Sequence, residues 1–334
     1  MDIRQSKLWS KYLQELGWTF EKLTSDSFAY TRKIPFLGAV IKIPRLPLPI
    51  PFKKIEEVAV VQNAFLVKLE PKIETKETDT DKILSLLKEN GFTKDRWSLN
   101  PTTTIQIDLT KSEEELLRYM EKDTRYSVRL ASRRGVIVKE TNDFEQFKNL
   151  YFETAERKKF WPAKKELEAV WKVFSKEKSA TILTAFYQEK PLASTLLLYI
   201  NRGLLGARAT QDATRLPTPE DAGYGEQGIP KLLNEDKSFS YVASYYHAAS
   251  LPIHRDVMAP YLLLWEAIKF LKKKGCYTFD LEGIYDPRIP TTKRWKGFTL
   301  FKKGFGGRKV EYLGSFTKYY KLWAQALFLP TRFF

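Results

Sequence analysis

Cys276-Tyr277-Thr278-Phe279-Asp280-Leu281-Glu282-Gly283 reads as a buried strand from Tyr277 to Leu281 that turns at Gly283. A stretch interrupted by Pro287 and Pro290 follows, through Thr292. The chain then returns through Lys293-Arg294-Trp295-Lys296-Gly297-Phe298-Thr299-Leu300-Phe301-Lys302-Lys303-Gly304-Phe305-Gly306-Gly307, a cationic, glycine-rich segment centred on Lys302. Glycine lets backbone N–H groups approach a ligand closely, and Lys and Arg supply charge, so a strand end feeding such a segment can hold an anion. The same residues also fit a solvated basic hairpin, so the remainder of the chain has to weigh the two.

A chain of 334 residues exceeds one typical small core, which leads to an expectation of two domains. The formal net charge of +16 favours a polyanionic partner: nucleic acid, a phosphorylated substrate or an anionic membrane surface. Cys276 is the sole cysteine, which excludes internal disulfides. Together with only His247 and His254 it leaves no zinc set, so no metal is expected. Met1 to Gly17 has no continuous apolar core, and no apolar run approaches the roughly 20 residues that span a bilayer, so a cytoplasmic protein is expected.

Working outward, Gln5 to Gly17 reads as an amphipathic helix carrying Leu8, Trp9, Tyr12, Leu13 and Leu16. Strands are expected at Phe28–Lys33, Ala39–Ile43, Val58–Gln62 and Phe65–Leu69. Between the second and third of these, alternate prolines in Ile43 to Pro51 predict an extended, polyproline-like loop, either a rigid connector or a cleft wall with Lys33 or Arg45 facing phosphate. Helix is expected over Asp79–Asn90 and a strand over Thr103–Leu109. Ser112-Glu113-Glu114-Glu115 is a capping box that starts a helix running to Arg134, with a break near Asp123-Thr124. On it Lys122, Arg125, Arg129 and Arg133 share one face, either a solvated surface or a phosphate-contacting stripe.

Beyond it, a strand at Val136–Lys139, helices at Asp143–Phe160 and Leu167–Phe174, and a hairpin over Thr181–Ile200 are expected. The polar, proline-containing segment 206–240 reads as a lid or insertion. A strand at Tyr241–His247 and a helix at Pro260–Lys274 then lead into the opening stretch. The tail from Phe316 reads as an aromatic, basic helix, packed on the core or lying at a membrane interface. Strands and helices mix twice over, so the expected class is α/β with mixed sheets.

No nucleophile elbow, P-loop or dinucleotide fingerprint occurs. Gly223-Tyr224-Gly225-Glu226-Gln227-Gly228-Ile229-Pro230 has the look of a coenzyme A pyrophosphate loop, but Pro230 has no N–H to offer and no strand leads directly into it.

Taken together and in order, several blocks resemble the Fem family of peptidoglycan bridge-forming aminoacyltransferases. They are Gln5-Ser6-x-x-Trp9 with Gly17-Trp18, Ile43-Pro44-Arg45-Leu46-Pro47, and Thr104-x-x-x-Asp108-Leu109 followed by Thr124-Arg125-Tyr126. Further on come Thr154-x-x-Arg157-x-x-Phe160, Tyr245-Tyr246-His247-Ala248-Ala249-Ser250, Ala259-Pro260-Tyr261-Leu262-Leu263, Phe279-Asp280-Leu281-Glu282-Gly283 and Phe301-Lys302-x-x-Phe305-Gly306-Gly307. Leu46 stands where the family has glycine.

The resemblance implies two acetyltransferase-like (GNAT-like) domains without a coiled-coil insertion. Residues 1–146 with 313–334 would form the precursor-binding domain, and 147–312 the domain with the catalytic edge. It implies transfer of an amino acid from aminoacyl-tRNA, as co-substrate, to the stem peptide of UDP-MurNAc-peptide or lipid II. No cofactor is needed, and a monomer with peripheral contact at the inner face of the membrane is expected. Lys302 would stabilise the oxyanion and Asp108 would orient the amine or take its proton. Lys33, Arg45 and Arg208 would contact phosphate. Tyr245, Tyr246 and Phe301 would line the acceptor site, and Arg125, Arg129 and Arg133 would meet tRNA. Two other readings stay open at this point: an acyl-CoA-dependent N-acyltransferase of the same fold, and a non-catalytic RNA- or membrane-binding module.

Overall fold

The computed structural model describes residues 2–76, 80–200 and 242–328. Two mixed sheets organise these residues. The first contains β1 (Thr19–Thr24), β2 (Ser27–Ile34), β3 (Gly38–Leu46), β4 (Ala64–Pro71) and β5 (Thr93–Lys94). The second is built from β6 (Thr103–Asp108), β7 (Ile137–Glu140), β8 (Ala180–Tyr187), β9 (Lys190–Tyr199), β10 (Val242–Ser250), β11 (Thr278–Gly283) and β12 (Arg308–Glu311). A last strand, β13 (Phe316–Tyr319), returns to the first sheet between β4 and β5. The orders are β1-β2-β3-β4-β13-β5 and β12-β6-β11-β10-β9-β8-β7. Each sheet has one parallel pair, β3 with β4 and β10 with β11, among otherwise antiparallel neighbours.

Helices cover these sheets: α1 (Lys7–Glu15), α2 (Phe52–Val61), α3 (Thr80–Glu89), α4 (Glu113–Tyr119), α5 (Lys122–Arg133), α6 (Phe144–Lys158) and α7 (Lys164–Lys176), then α8 (Ala259–Lys273), α9 (Lys296–Gly304) and α10 (Leu322–Phe328). Ile41, Val67 and Leu69 of the first sheet pack with Ile55, Val58 and Ala59 of α2 and with Ile83 and Leu87 of α3. The second sheet is covered on both faces. Phe279, Leu281 and Leu197 meet α5 and α8 through Val128, Ala131, Leu264 and Ile268. On the other face, Ile182, Leu196 and Leu198 meet α1, α6 and α7 through Leu8, Tyr12, Phe147, Val170 and Phe174. Apolar residues on both sides of a sheet read as near-continuous hydrophobic runs, as Leu192 to Tyr199 does.

Four expectations change. Val58–Gln62 is the end of helix α2, not a strand: Ile55, Val58 and Ala59 at helical spacing bury one face, which outweighs the strand preference of the valines. Strand β3 extends through Pro44 to Leu46, where an extended loop was expected. Pro44 lies beyond the last β2 pairing (Tyr30 with Lys42) and inside an irregularity of the β4 pairing, so its missing N–H interrupts no ladder bond there. The segment around Lys302 is a helix, α9, rather than a hairpin. The tail opens as strand β13 before any helix.

The sheets also divide the chain earlier than 146. Strand β6, helices α4 and α5, and strand β7 all build the second sheet and its cover, so the crossover falls between Lys94 and Thr103. The capping box forms as expected, with Ser112 Oγ accepting from Glu115 N at 3.1 Å and Ser112 N donating to Glu115 Oε2 at 2.9 Å. The helical break comes at Met120–Glu121, three residues before the expected point. Among the described residues the longest helices, α6 and α8, have 15 residues each. Segment 206–240, with Arg208 and the coenzyme A-like loop, lies outside the described residues.

Candidate functional site

Strand alternation sends Phe279 and Leu281 of β11 into the core and leaves Asp280 facing the opposite side, toward the first sheet. Because β11 lies between β6 and β10, that polar side is flanked by Thr104 and Gln106 of β6 and by Ser244 of β10. An irregularity in the β6 pairing between Asp280 and Gly283, with Glu282 at φ 60°, turns Glu282 to the same side. Its N–H then donates to Asp280 Oδ1 at 2.7 Å.

Two carboxylates so close in a dry setting need partners. Arg4 supplies a fork, its Nη2 donating to both Glu282 oxygens at 2.8 and 2.7 Å, and Ser244 Oγ adds a third donor. Asp280 accepts from Thr104 Oγ1 and, at 3.2 Å, from Gln106 Nε2. Burial pushes the Glu282 carboxyl up, but the Arg4 guanidinium and the Ser244 hydroxyl outweigh it and hold the group below its ordinary range. For Asp280, burial and then the Glu282 charge prevail, and its carboxyl is raised.

Lys302 approaches the same strand end from α9. Its side chain is buried, its Nζ donates to Gly283 O at 2.8 Å and lies 4.9 Å from the Phe298 ring centroid. Burial lowers its pKa to about 8, against the pull of Glu282 and Asp280. A lysine at that value remains mostly protonated at neutral pH, with N–H donors beyond the one given to Gly283. Just past the end of α9 the chain turns at Gly306-Gly307, both at positive φ. A Cβ on Gly306 would lie 2.9 Å from Tyr119 O, and one on Gly307 2.7 Å from Gln106 O. Only glycine lets the chain pass so close under α4 and β6 on its way to β12.

The first sheet contributes to this seam. Arg45, at φ 48° in a matching irregularity of β3, is buried, stacks over the Tyr312 ring at 3.6 Å and donates to Pro101 O at 2.6 Å, near Glu70. Tyr312 OH accepts from Gln106 at 3.1 Å. Just past β11, Asp286 is buried and takes hydrogen bonds from Thr102, Thr103 and Arg288. Burial raises its carboxyl, but Arg288 and the threonines outweigh that and hold it well below the usual range.

The sequence-predicted residues separate into groups. Lys302 and Phe301 lie on α9, Phe301 packing at 5.0 Å against Tyr261, and Arg45 lies in the seam. Tyr245 is a core residue set edge-on to Phe279, and burial raises its hydroxyl pKa. Tyr246 points to the other side, where it meets Trp9, Tyr12 and His247. Burial there lowers the His247 pKa to about 4, so the imidazole is neutral. Asp108 is exposed and receives Thr110 N and Oγ1 at 3.0 and 2.6 Å. It sits four residues along β6 from Thr104, the partner of Gly283, which is roughly 13 Å of strand away from the Lys302 end. The structure therefore does not bring Asp108 to Lys302; Glu282, and after it Asp280, are the carboxylates that act on the lysine's charge.

Lys33 is exposed near the β2–β3 tip, six residues of β3 from Arg45, so these two do not meet either. Arg125 is occupied by the carbonyls of Leu117, Arg118 and Met120 at the end of α4. Arg129 and Arg133 are exposed on α5. Sequence reasoning did not single out Arg4 and Ser244. Their available signal was indirect: acidic residues alternating into a strand flanked on both sides require buried cationic and hydroxyl partners. Among the described residues no cluster of three or more His, Cys, Asp or Glu could hold a metal, and no helix is long and apolar enough to cross a membrane.

The chain matches the FemAB family over residues 50–168 and 238–327. It is similar to the lipid II:glycine glycyltransferase of Staphylococcus epidermidis, 21% identical over 94% of this chain and 87% of the relative. The enzyme of the same name from Staphylococcus aureus is 23% identical over 78% of this chain and 70% of its own. Among solved structures, FemX superposes with a TM-score of 0.73 at 17% identity, over 98% of this chain and 94% of that one. The C-terminal domain of a putative lysylphosphatidylglycerol synthetase from Agrobacterium fabrum reaches 0.54 at 11% identity, over 98% and 92%. At these identities the superpositions establish the fold alone, the two helix-covered mixed sheets that this chain shares with FemX.

Proposed function

This chain belongs to the FemAB family, and from that premise we propose that it moves an amino acid from aminoacyl-tRNA to an amino group on the stem peptide of a lipid-linked peptidoglycan precursor. The reading is supported by the relatives, which are named lipid II:glycine glycyltransferases. The lipid-linked acceptor follows the same relatives, and the surplus of +16 suits both a tRNA and a diphosphate-bearing acceptor.

In the reaction the acceptor amine attacks the ester carbonyl carbon of the aminoacyl-tRNA. A C–N bond forms, the ester C–O bond breaks, and the proton lost by the amine ends on the terminal ribose oxygen. The ester arrives activated, so neither a protein nucleophile nor a cofactor is required. Negative charge gathers on the carbonyl oxygen in the tetrahedral intermediate, and a prepositioned cation in a dry site stabilises it as it develops.

The single observation that carries the assignment of the catalytic edge is Lys302, a buried ammonium anchored on Gly283 O with donors to spare. Asp280 and Glu282 counter its charge, and Arg4 in turn counters theirs. The test is a transfer assay with a panel of charged tRNAs carrying labelled amino acids, against both lipid-linked and nucleotide-linked precursors. Label should reach the precursor, and Lys302→Met should lower the rate by about a hundredfold or more. Transfer from an acyl-CoA with none from any charged tRNA would overturn the reading.

A further inference from the structure

At one end of the first sheet, three separate pieces of chain place large apolar side chains in solvent side by side. The β2–β3 tip carries Phe36 and Leu37, with Phe36 fully exposed at 107%. The end of α2 carries Val60 and Val61, the latter 80% exposed. Helix α10 carries Leu322, 85% exposed, and Trp323.

Backbone pairing makes these neighbours. Ala39 N donates to Asn63 O at 3.1 Å, and Asn63 N to Val60 O at 3.0 Å, which ties the hairpin tip to the end of α2. Tyr320 N donates to Phe65 O at 2.9 Å, and the Phe65 and Trp323 rings lie 5.0 Å apart, which ties α10 to the start of β4 beside them. Phe36 also sits at φ 63°, a conformation that Asn or Gly adopts far more easily than an aromatic residue. Neither burial nor backbone preference accounts for a phenylalanine at that point.

The rim is basic. Arg32 and Lys33 precede the tip and Lys321 precedes α10, all exposed. Of the nearby acids, Glu57 is paired with Lys54 at 3.0 Å and Glu56 receives both Lys318 and Tyr320 at 2.7 Å, while Glu89 lies farther along the groove beside Val60 and Val61. Apolar tips inside a cationic rim match the boundary of an anionic bilayer, where apolar side chains enter the acyl region and Lys and Arg meet headgroup phosphates. A protein partner would need no surplus of one sign around its contact.

We propose that this end of the first sheet docks on an anionic lipid bilayer, through the β2–β3 tip, the end of α2 and α10. The proposal deepens the functional reading and rests on its lipid-linked acceptor, since a docked enzyme meets that acceptor in the plane of the membrane. Lys33 then contacts lipid phosphate rather than the substrate.

The test is flotation of the full chain with vesicles of phosphatidylcholine alone and of phosphatidylcholine mixed with phosphatidylglycerol, without tRNA or precursor. Binding to the mixed vesicles and weak binding to the neutral ones are expected. Phe36→Ser with Leu37→Ser should lower the partition coefficient about tenfold, and Arg32→Gln with Lys33→Gln about fivefold per charge removed. The Phe36 and Leu37 double variant should keep its melting temperature and its transfer to a nucleotide-linked acceptor. Equal partition of that variant and the wild type overturns the proposal. So does a concentration-dependent dimer, seen by sedimentation velocity, that the same variant abolishes, because the patch is then a subunit contact. Vesicle binding is read without catalysis, so a wrong acceptor and a wrong docking face give separable results.

Discussion

Arg4 and Glu282 stand 278 positions apart in the chain, yet one guanidinium nitrogen of Arg4 reaches both Glu282 oxygens, at 2.8 and 2.7 Å. The pair joins the segment that leads into α1 to the strand that ends at the candidate catalytic lysine. Removing one partner leaves the other charge buried and uncompensated, which is the costly way to break such a pair. Arg4→Met should therefore lose about 3–5 kcal/mol in a urea titration, and adding Glu282→Gln should recover much of it. Because the folded Glu282 carboxyl is depressed, its share of stability is present above the ordinary carboxylate range and is lost as acid protonates it. The Arg4→Met protein should show a weaker loss in that window.

Lys302 carries the opposite linkage. Its folded pKa of about 8 lies below the ordinary 10.5, so the native state gives up the proton before the unfolded chain does. Burying the charge costs most below pH 8, and that cost is relieved between pH 8 and 10.5. Relative to Lys302→Met, wild-type stability should rise across this interval. If the ammonium stabilises the oxyanion, the transfer rate should fall as pH passes about 8, and that descending limb should vanish from the residual activity of Lys302→Arg. A limb that persists in the arginine variant assigns the titration to another group.

Arg125, Arg129 and Arg133 share a helix face in the sequence but do different work. Arg125 closes the end of α4 through three carbonyls, so Arg125→Ala should lower the melting temperature and leave the salt dependence of tRNA binding unchanged. The exposed pair Arg129→Ala with Arg133→Ala should leave stability within about 0.5 kcal/mol and reduce the slope of log affinity against log salt by about 1.5. Filter binding across a salt series distinguishes the two outcomes.

Glycines at positive φ are not equivalent here. Gly135, at φ 82°, has nothing within 4 Å of an added Cβ, so Gly135→Ala should cost only the backbone term, about 1 kcal/mol. Gly307→Ala adds a clash with Gln106 O at 2.7 Å and should cost clearly more, while displacing α9 and lowering transfer. Thermal melts and rates on the two variants side by side separate strain from steric exclusion.

The parts legible in the sequence are those where local chemistry and burial agree. Ser112 with Glu115, the alternation of Phe279 and Leu281, and the amphipathic α1 and α8 all form as their patterns predict. Val58-Ala59-Val60-Val61 reads as strand because its local preference is for strand. The helix prevails through burial of one face, and two valines are left in water as a result. The glycines and lysines of α9 look like a loop, but Thr299, Lys302 and Phe305 recur at helical spacing on its inner side. At the site, Lys302 could be picked from a motif. The Asp280–Glu282–Arg4 cluster could not, because it depends on a left-handed turn at Glu282 and on a partner 278 positions away.

The position of β13 bears on how the molecule is made. Strand β13 completes the first sheet by inserting between β4 and β5, so β4 and β5 have no shared partner until residues 316–319 exist. A ribosome synthesises β1 to β5 first, yet that sheet can close only after the second unit has emerged. The domain begun earliest is thus finished last. Until then β4 and β5 each hold an open hydrogen-bonding edge, which residues 316–319 later fill.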